Sequence, residues 1–211
     1  MIWHRSWRAD PRVRQIADRH YSRQKIGAEQ FVAPGRCLVL VTERADAAWI
    51  TSWPIAQYVH HEWAGAWTCA LFRNETKTLL SSELIRDAVL ATRAEFGDPP
   101  PMGFVTFVDE RKVRRKRDPG RCYLQAGWHY AACGACEASG SQWQQVFHPA
   151  TGSFSTDRTA VCADCGGDGH ARTKTERLRV LRLLPSEIGE PIAPLGSQMH
   201  LWRHRDAAVG S

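Results

Sequence analysis

The sequence lacks long apolar runs. No uninterrupted apolar stretch approaches the ~18 residues that a membrane span requires. The first residues, MIWHRSWRADPRVRQ, alternate aromatic with charged side chains and lack the apolar segment of a secretory signal. These two absences predict a cytoplasmic protein with no membrane partner. The chain also has no internal repeat, so a repeat architecture is excluded.

Acidic residues are outnumbered by basic ones. The 211 residues include 28 Lys and Arg against 22 Asp and Glu, which gives a formal net charge of +6. This balance favours an anionic partner such as nucleic acid, a phosphorylated cofactor or an acidic surface. A general role in solubility explains the basic excess equally well, because net charge does not show where on the surface the charges lie. With 43% hydrophobic residues, the chain can bury one core plus a small appendage.

Structural disulfides are not expected, because thiols stay reduced in the cytosol, and four of the seven cysteines form two Cys-x-x-Cys pairs. The first pair is Cys133 and Cys136, the second is Cys162 and Cys165, and 25 residues separate them. Each pair can place two thiolates about 2.3 Å from one tetrahedral zinc ion, and four thiolates leave no open position for water. The spacing predicts a structural zinc site, with redox-active thiols or a catalytic metal as alternatives.

Residues 133–172 are predicted to form a zinc ribbon. Between the cysteine pairs, WQQVFHP and ATGSFSTDRTA indicate a strand, a turn and a return strand. His148 and His170 are alternative ligands if one cysteine is displaced. The remaining cysteines are predicted to pack as small hydrophobic side chains within apolar stretches: Cys37, Cys69 and Cys122.

Hydrophobic periodicity predicts an α/β chain. Residues 10–20 show helical spacing, with Val13, Ile16 and Ala17 on one face, and residues 82–96 show it again before a glycine and three prolines. A short helix is expected within 120–128. Apolar runs predict strands over 37–42, 47–54, 67–74, 103–109, 128–132 and 177–185. This order indicates a mixed central sheet with flanking helices, and the chain from about 186 is expected to be poorly ordered.

The order of elements and residues 122–128, CYLQAGW, resemble the GCN5-related N-acetyltransferase (GNAT) superfamily. In that family the penultimate helix commonly ends in a tyrosine, three variable residues, a glycine and an aromatic. The resemblance implies a GNAT-like fold in which the Tyr123 hydroxyl lies near the cofactor sulfur and protonates the leaving thiolate. A helix-end tyrosine that packs on the sheet is the alternative.

The resemblance also implies that the pyrophosphate of acetyl-coenzyme A binds at the N-terminus of the 82–96 helix, where free N–H groups favour anions. The superfamily usually has a Gln/Arg-x-x-Gly-x-Gly/Ala turn there. This chain has KTLLSS at residues 77–82, without a glycine. Lys77, Ser81 and Ser82 are the residues that would hold a phosphate.

Short polar clusters also resemble the phage Mom-type DNA-modification proteins, divergent members of the acetyltransferase-like fold that alter adenine in DNA. The clusters are HYS at residues 20–22, FRNE at 72–75 and LSSELI at 80–85. The resemblance spans roughly residues 15–130 and the last strand. It implies that these clusters contribute to a substrate and cofactor site through the following side chains: Tyr21, Ser22, Arg73, Asn74, Glu75, Lys77, Ser81 and Ser82.

The residue types are suited to such a site. Arg73, Asn74 and Glu75 combine a guanidinium fork, an amide and a carboxylate at a strand end, which can grip a base edge, a phosphate or a cofactor amide. An ordinary surface turn is the alternative. Asp109 ends the strand GFVTFVD, and binding crevices of open sheets lie at strand C-termini. We therefore expect Asp109 to share one cleft with Tyr123 as a base or an amine-orienting group, unless it only caps a turn. His20 is a second candidate base.

The chain after Asp109, residues 110–121, carries a dense block of positive charge and is called the basic loop below. Such a block suits a row of nucleic-acid phosphates, although a solvated surface is the common alternative. The side chains expected to contact phosphates are Arg111, Lys112, Arg114, Arg115, Lys116, Arg117 and Arg121.

Together these features predict a GNAT-like transferase domain over 1–132 and 173–190, an inserted zinc-ribbon hairpin over 133–172 and a C-terminal tail over 191–211. The expected function is modification of a base in DNA, with zinc as a structural ion and an acyl-coenzyme A as the donor. Two alternatives remain: an acetyl-coenzyme A-dependent N-acyltransferase for a small amine or protein, and a non-catalytic nucleic-acid-binding protein.

Overall fold

A computed structural model describes residues 1–32, 34–55, 57, 59, 62–113, 118–174 and 177–196. Within these residues the chain forms strands and three α-helices. The strands are β1 (His4–Ser6), β2 (Arg36–Val41), β3 (Ala47–Trp53), β4 (Trp67–Asn74), β5 (Phe104–Val108), β6 (His129–Tyr130), β7 (Ser141–His148), β8 (Ser153–Val161) and β9 (Arg179–Leu183). The helices are α1 (Pro11–Asp18), α2 (Ser81–Phe96) and α3 (Arg121–Leu124).

Seven strands form one mixed sheet in the order β1-β2-β3-β4-β5-β9-β6, and β7 pairs with β8 in a separate hairpin. Neighbouring strands of the large sheet are antiparallel except β4 and β5, which run parallel and are joined by α2. The mixed α/β class is confirmed. Strand β1 was not predicted, because three residues are too few to show an alternation.

The sheet lies between two helical layers because the side chains of its strands alternate. In β2, Leu38 and Leu40 join the cluster under α2, whereas Val39 and Val41 join the cluster under α1. The predicted apolar face of α1 is confirmed, since Val13, Ile16 and Ala17 are buried. None of the helices that the structure describes is long and apolar enough to cross a membrane.

Residues 185–195 are held in place by a short helix, a buried side chain and backbone hydrogen bonds, which differs from the expectation of poor order from about residue 186. Pro185–Glu187 form a 3-10 helix, and Ile188 is only 4% exposed. Leu195 donates its N–H to the Trp3 carbonyl at 2.8 Å and accepts from the Arg5 N–H at 2.8 Å. Because this segment pairs with residues at the opposite end of the sequence, no pattern within residues 185–195 predicts that it is ordered. The chain from 197 to 211 lies outside the described residues.

The β7–β8 hairpin is attached to the large sheet through the residues that precede and follow it. Ala132 and His170 form an antiparallel bridge, and Ala171 donates its N–H to the Ala131 carbonyl at 2.7 Å. Ala131 in turn donates to the Val180 carbonyl of β9 at 3.0 Å. The base of the ribbon thus continues the β6–β9 edge of the sheet.

Candidate functional site

Strands β4 and β5 separate partway along their length. Their parallel pairing ends at Cys69 and Thr106, whereas β4 continues to Asn74 and β5 to Val108. The gap between their C-terminal ends is a cleft of about 590 Å³, called the β4/β5 cleft below. Ligands of open α/β sheets bind at such strand ends. Many of the predicted site residues line it: His20, Tyr21, Ser22, Arg73, Asn74, Ser81, Ser82, Arg121 and Tyr123.

Tyr123 lies where the cleft meets the main core. After α3, Gly127 has a φ of 95°, which lets the Trp128 N–H bond back to the Tyr123 carbonyl at 3.0 Å and close the helix. The Trp128 ring packs on the Tyr123 ring with centroids 5.2 Å apart. The glycine and the aromatic of the sequence pattern therefore fix the tyrosine in place.

The Tyr123 hydroxyl is buried beside a thiol. It lies 3.3 Å from the Cys69 Sγ, and burial raises its pKa well above the ordinary value. The side chain is only 7% exposed. A phenol held in this way stays neutral throughout the physiological pH range, so it carries a proton that it can offer to a leaving group on which negative charge develops.

His20, Tyr21 and Ser22 form one wall of the cleft, in the turn that follows α1. The His20 Nδ1 lies 2.7 Å from the Ser22 Oγ, and the His20 ring stacks on the Tyr21 ring with centroids 4.4 Å apart. Burial, together with the nearby Arg73 guanidinium, lowers the pKa of His20 to about 4. The imidazole is therefore neutral at pH 7, and its Nδ1, which also accepts from the Ser22 N–H at 3.2 Å, is the unprotonated nitrogen.

The lowered pKa of His20 predicts a pH-dependent stability. Between its folded pKa of about 4 and its ordinary pKa of 6.5, the unfolded chain binds more protons than the folded one, so stability falls as pH decreases through this window. The full contribution is about 3 kcal/mol at most. Urea unfolding at pH 7.5 and 4.5 measures it, and His20→Asn should reduce the difference. The same substitution at the exposed His148 should keep the wild-type difference, and an unchanged difference in His20→Asn would contradict the assignment.

Arg73 and Glu75 form a cluster with Arg19 at the end of β4. The Glu75 carboxylate accepts from the Arg19 Nη2 at 2.5 Å and from the Arg73 Nε at 2.5 Å, and the Arg73 Nη1 donates to the Arg19 carbonyl at 2.7 Å. The hydrogen bond from Arg19 lowers the pKa of Glu75 to about 2. Glu75 thus ties the end of α1 to β4, and Arg73 is the member of the cluster that lines the cleft.

Asn74 shapes the turn between β4 and α2. Its Oδ1 accepts from the Thr76 N–H at 2.8 Å, and its Nδ2 donates to the Leu79 carbonyl at 3.0 Å and to the Ser81 Oγ at 3.1 Å. Each residue from 74 to 82 is described, and none has a positive φ. Hydrogen bonds from the Asn74 side chain therefore stabilise this turn, which explains how the chain forms it without a glycine.

The N-terminus of α2 opens on the cleft through Ser81 and Ser82. The first intrahelical bonds begin at the Glu83 and Leu84 N–H groups, which donate to the Leu80 carbonyl at 3.1 Å. The N–H groups of the two serines precede them and have no partner inside the helix. N–H groups in this position can donate hydrogen bonds to an anion. Lys77 is exposed in the preceding turn and does not line the cleft.

The Asp109 side chain does not line the cleft with Tyr123, although the Asp109 backbone is hydrogen-bonded to the cleft-lining Tyr21. Its Oδ1 accepts from the Arg111 N–H at 3.0 Å and from the Arg111 Nε at 2.9 Å, and its Oδ2 accepts from the Arg111 Nη2 at 3.0 Å. These bonds lower the pKa of Asp109. The carboxylate closes the turn after β5, and the residues that line the cleft do not include it. The geometry therefore gives no support to Asp109 as a base.

The basic loop is described at its two ends. Arg111 is held by Asp109, and Lys112 is exposed. Arg121 begins α3, pairs with Asp118 at 2.9 Å and lines the cleft. The other predicted phosphate contacts lie outside the described residues: Arg114, Arg115, Lys116 and Arg117.

The four cysteines of the ribbon come together as predicted. Their sulfur atoms all lie within 4.8 Å of one another, and Cys133 and Cys136 reach Cys162 and Cys165 at 3.9 and 3.8 Å. A tetrahedron with metal–sulfur bonds of about 2.3 Å has edges of about 3.8 Å. The Cys136 Sγ also accepts from the Gly140 N–H at 3.3 Å. This buried cluster can hold a metal ion such as zinc.

The two alternative histidine ligands lie outside this cluster. His148 contacts the Ser155 Oγ through its Nε2 at 2.6 Å, and His170 contacts the Arg179 Nη1 through its Nδ1 at 3.0 Å. Of the three remaining cysteines, Cys69 is buried, whereas Cys37 and Cys122 are half-buried.

Sequence reasoning assigned no part in the site to Cys69, Thr106 and Cys122, although all three line the cleft. Cys69 and Thr106 are the last paired residues of β4 and β5. The signal that could have found them is the joint end of two parallel strands. That signal requires the register between the strands, which no local motif contains.

Residues of three elements, β4, α2 and α3, meet in one cleft with the turn that carries His20. They are Arg73, Asn74, Ser81, Ser82 and Tyr123. The side chains of Asp109 and Lys77 do not line this cleft. Comparisons of the chain with models of known protein families, with curated proteins and with solved structures found no match.

Proposed function

We propose that this protein is a GNAT-like transferase that modifies a base in nucleic acid at the β4/β5 cleft. The observation that supports the proposal is that a proton donor, a proton acceptor and a helix N-terminus meet where β4 and β5 separate. A protonated Tyr123 hydroxyl, a neutral His20 and the N-terminus of α2 all line one cleft. The first can donate a proton, the second can accept one and the third can bind an anion.

The donor site is the N-terminus of α2. The N–H groups of Ser81 and Ser82 and the Ser82 hydroxyl can bind phosphate oxygens, because a helix N-terminus carries a partial positive charge. Arg73 and Arg121 line the same cleft and add positive charge. A phosphate-bearing acyl thioester such as acetyl-coenzyme A suits this arrangement, and it would supply the acyl group and leave as a thiolate.

The residues of the cleft divide the proton transfers between them. The His20 Nδ1 accepts from the Ser22 N–H at 3.2 Å and lies 2.7 Å from the Ser22 Oγ, so Nδ1 is the unprotonated nitrogen of the neutral ring. The Ser22 hydroxyl gives its proton to Nδ1 and takes the proton that the acceptor amine loses as its N–C bond forms. The Tyr123 hydroxyl donates its proton to sulfur as the C–S bond breaks. The proton on His20 then returns through solvent to the Tyr123 oxygen, so the chain regains its starting state.

A nucleic-acid base is the proposed acceptor because the mouth of the cleft combines an aromatic ring with cations. Tyr21 is 40% exposed and lines the cleft, so its ring offers a stacking surface for an extruded base. Arg121 lies in the basic loop at the same mouth. Phosphates of the flanking nucleotides would contact that loop, whose described end at Arg121 lines the cleft.

Arg121→Ala should weaken duplex DNA binding for all sequences alike. Loss of one phosphate contact lowers the slope of log affinity against log salt by about 1. Fluorescence anisotropy of labelled duplexes over a range of salt concentrations measures this slope. Arg36→Ala is the matched control, because Arg36 pairs with Trp53 in β2–β3, at the end of the sheet away from the cleft. An Arg121→Ala slope equal to that of the wild type would remove this residue from the interface.

Thermal unfolding with each ligand separates the proposed function from its alternatives. A base-modifying transferase should be stabilised by acetyl-coenzyme A and by DNA. Stabilisation by acetyl-coenzyme A alone would indicate an acyltransferase for a small amine or a protein. Stabilisation by DNA alone, with unaltered nucleosides, would indicate a non-catalytic nucleic-acid-binding protein.

We propose in addition that the four-cysteine cluster holds one structural zinc ion. The sulfur separations suit a tetrahedral ion, and four thiolates leave it no open position for water. The cluster is therefore assigned no part in the transfer chemistry.

A further inference from the structure

Both ends of the basic loop contact the base of the ribbon. At the first end, the Glu110 carboxylate accepts from the Arg172 Nη2 at 3.0 Å and also pairs with Arg179. At the second end, the Pro119 carbonyl accepts from the Tyr130 hydroxyl at 2.8 Å. These two ends, residues 110–113 and 118–121, are called the stems of the loop. Each stem is thus held by residues that lie next to the ribbon in the sheet.

The residues that hold the stems are themselves held by the second cysteine pair. Asp168 follows Cys165 by three residues, and its Oδ2 accepts from the Arg172 Nη2 at 2.8 Å and from the Arg179 Nη2 at 2.8 Å. Its Oδ1 accepts from the His170 N–H at 2.9 Å. One carboxylate therefore positions both arginines that bind Glu110.

His170 extends the same arrangement to the second stem. The His170 ring stacks on the Tyr130 ring with centroids 4.3 Å apart. The Arg179 guanidinium carbon also lies over the Tyr130 ring, 4.8 Å from its centroid. Tyr130 is the residue that donates to Pro119. The stacked rings fix the direction of that hydroxyl.

These contacts are largely shielded from water. The side chains of Arg172 and Arg179 are 12% and 13% exposed, and those of Asp168 and Glu110 are 31% and 28% exposed. Ion pairs at this depth are screened less than surface pairs, and removal of one partner leaves the other charge buried and unpaired. Loss of one partner is therefore expected to loosen the stem that the network contacts.

The position of Asp168 depends on the cysteine cluster. The Cys133 N–H donates to the Gly169 carbonyl at 2.9 Å, and a Cβ on Gly169 would lie 2.2 Å from the Ala138 carbonyl oxygen. The two cysteine pairs are thus packed backbone to backbone directly beside Asp168. A metal that joins the four sulfur atoms fixes this close approach.

We infer that the second cysteine pair and the residues after it hold both described stems of the basic loop in place, so that metal bound in the ribbon orders these stems. Asp168 acts as a positioning residue for the first stem through Arg172 and Arg179. Tyr130, held by His170, positions the second stem. This inference does not depend on the transferase function, because it concerns the order of the stems alone.

Amide hydrogen exchange of the two stems, measured together with zinc content, tests the inference. Asp168→Ala should keep one zinc per chain and accelerate exchange in both stems by about tenfold. Tyr130→Phe should accelerate exchange in residues 118–121 only. The matched control is Glu137→Ala, because Glu137 follows the first cysteine pair, is 83% exposed and pairs with Arg158 away from the loop. It should leave both stems unchanged.

Metal removal provides the second arm of the experiment. Wild-type protein treated with a chelator should exchange faster in both stems, and added Zn²⁺ should restore the original rates. If Asp168→Ala loses zinc, the variant Glu110→Gln tests the inference instead, because Glu110 belongs to the loop and not to the ribbon. It should keep zinc and accelerate exchange in the first stem. If Asp168→Ala keeps its zinc, stems that exchange at the wild-type rate in this variant would overturn the inference. If Asp168→Ala loses its zinc, a first stem that exchanges at the wild-type rate in zinc-loaded Glu110→Gln would overturn it.

Discussion

Tyr123→Phe is expected to lower turnover by about 10²–10⁴-fold, the usual scale for the loss of a general acid. The substitution removes the hydroxyl that contacts the Cys69 Sγ at 3.3 Å. It keeps the ring that packs against Trp128 at 5.2 Å. Fold and DNA affinity should therefore remain close to those of the wild type. Steady-state rates, circular dichroism and anisotropy with labelled duplexes measure the three properties.

Cys69→Ala is the control for Tyr123→Phe, because it removes the same contact from the other side and leaves the phenol in place. If the Tyr123 hydroxyl acts as a proton donor, Cys69→Ala should lose less than about tenfold in turnover. If the hydroxyl matters only through its contact with Cys69, the two variants should be equally impaired. Equal losses, or a Tyr123→Phe variant that turns over at the wild-type rate, would contradict the proposed role.

Cys162→Ser is expected to abolish stoichiometric zinc binding and to unfold the ribbon. Freshly purified wild-type protein should contain one zinc per chain. Cys162 is fully buried, and among the ribbon residues whose burial is described, the cluster of buried side chains consists of the four cysteines. The large aromatic side chains of the hairpin are exposed, namely Trp143, Phe147 and Phe154. Without the metal, little buried apolar surface remains to hold the ribbon together.

Elemental analysis and amide exchange of residues 141–161 measure this effect. Cys37→Ser is the matched control, because Cys37 lies in β2 and contacts the Arg8 Nη2 at 3.3 Å, outside the cluster. It should keep one zinc per chain. The large sheet should survive in both variants, since its core is separate from the cysteine cluster. A wild-type zinc content well below one per chain that Cys162→Ser does not change would refute the assignment.

Much of the fold could be predicted from local patterns. The helical spacing over residues 82–96 gave α2, and the cysteine spacing gave the four-sulfur cluster, because each depends on residues close together in sequence or on a strict ligand rule. The parallel pairing of β4 with β5 and the insertion of β9 beside β5 depend on contacts between distant segments. The hydrophobic periodicity of a strand does not show which strand it pairs with or in what register, so the cleft could not be predicted from the sequence.

The candidate site was predicted less well, for two physical reasons. Asp109 was expected in the cleft, but Arg111, two residues later, offers it a local backbone and side-chain partner. Such local bonds compete with a ligand-facing orientation. The contact between Cys69 and Tyr123 joins residues 54 positions apart, and the one between Glu110 and Arg172 joins residues 62 positions apart. Partners at this separation are visible only once the chain is folded.

The most direct test of the proposed transfer at the β4/β5 cleft is mass spectrometry of nucleosides. DNA from cells that express the protein is digested and compared with DNA from cells that express equal amounts of Tyr123→Phe. The account predicts a nucleoside of increased mass in the wild-type sample, reduced at least about 10²-fold in the variant sample. Identical, unmodified nucleosides in both samples, from cells that contain folded protein, would contradict it.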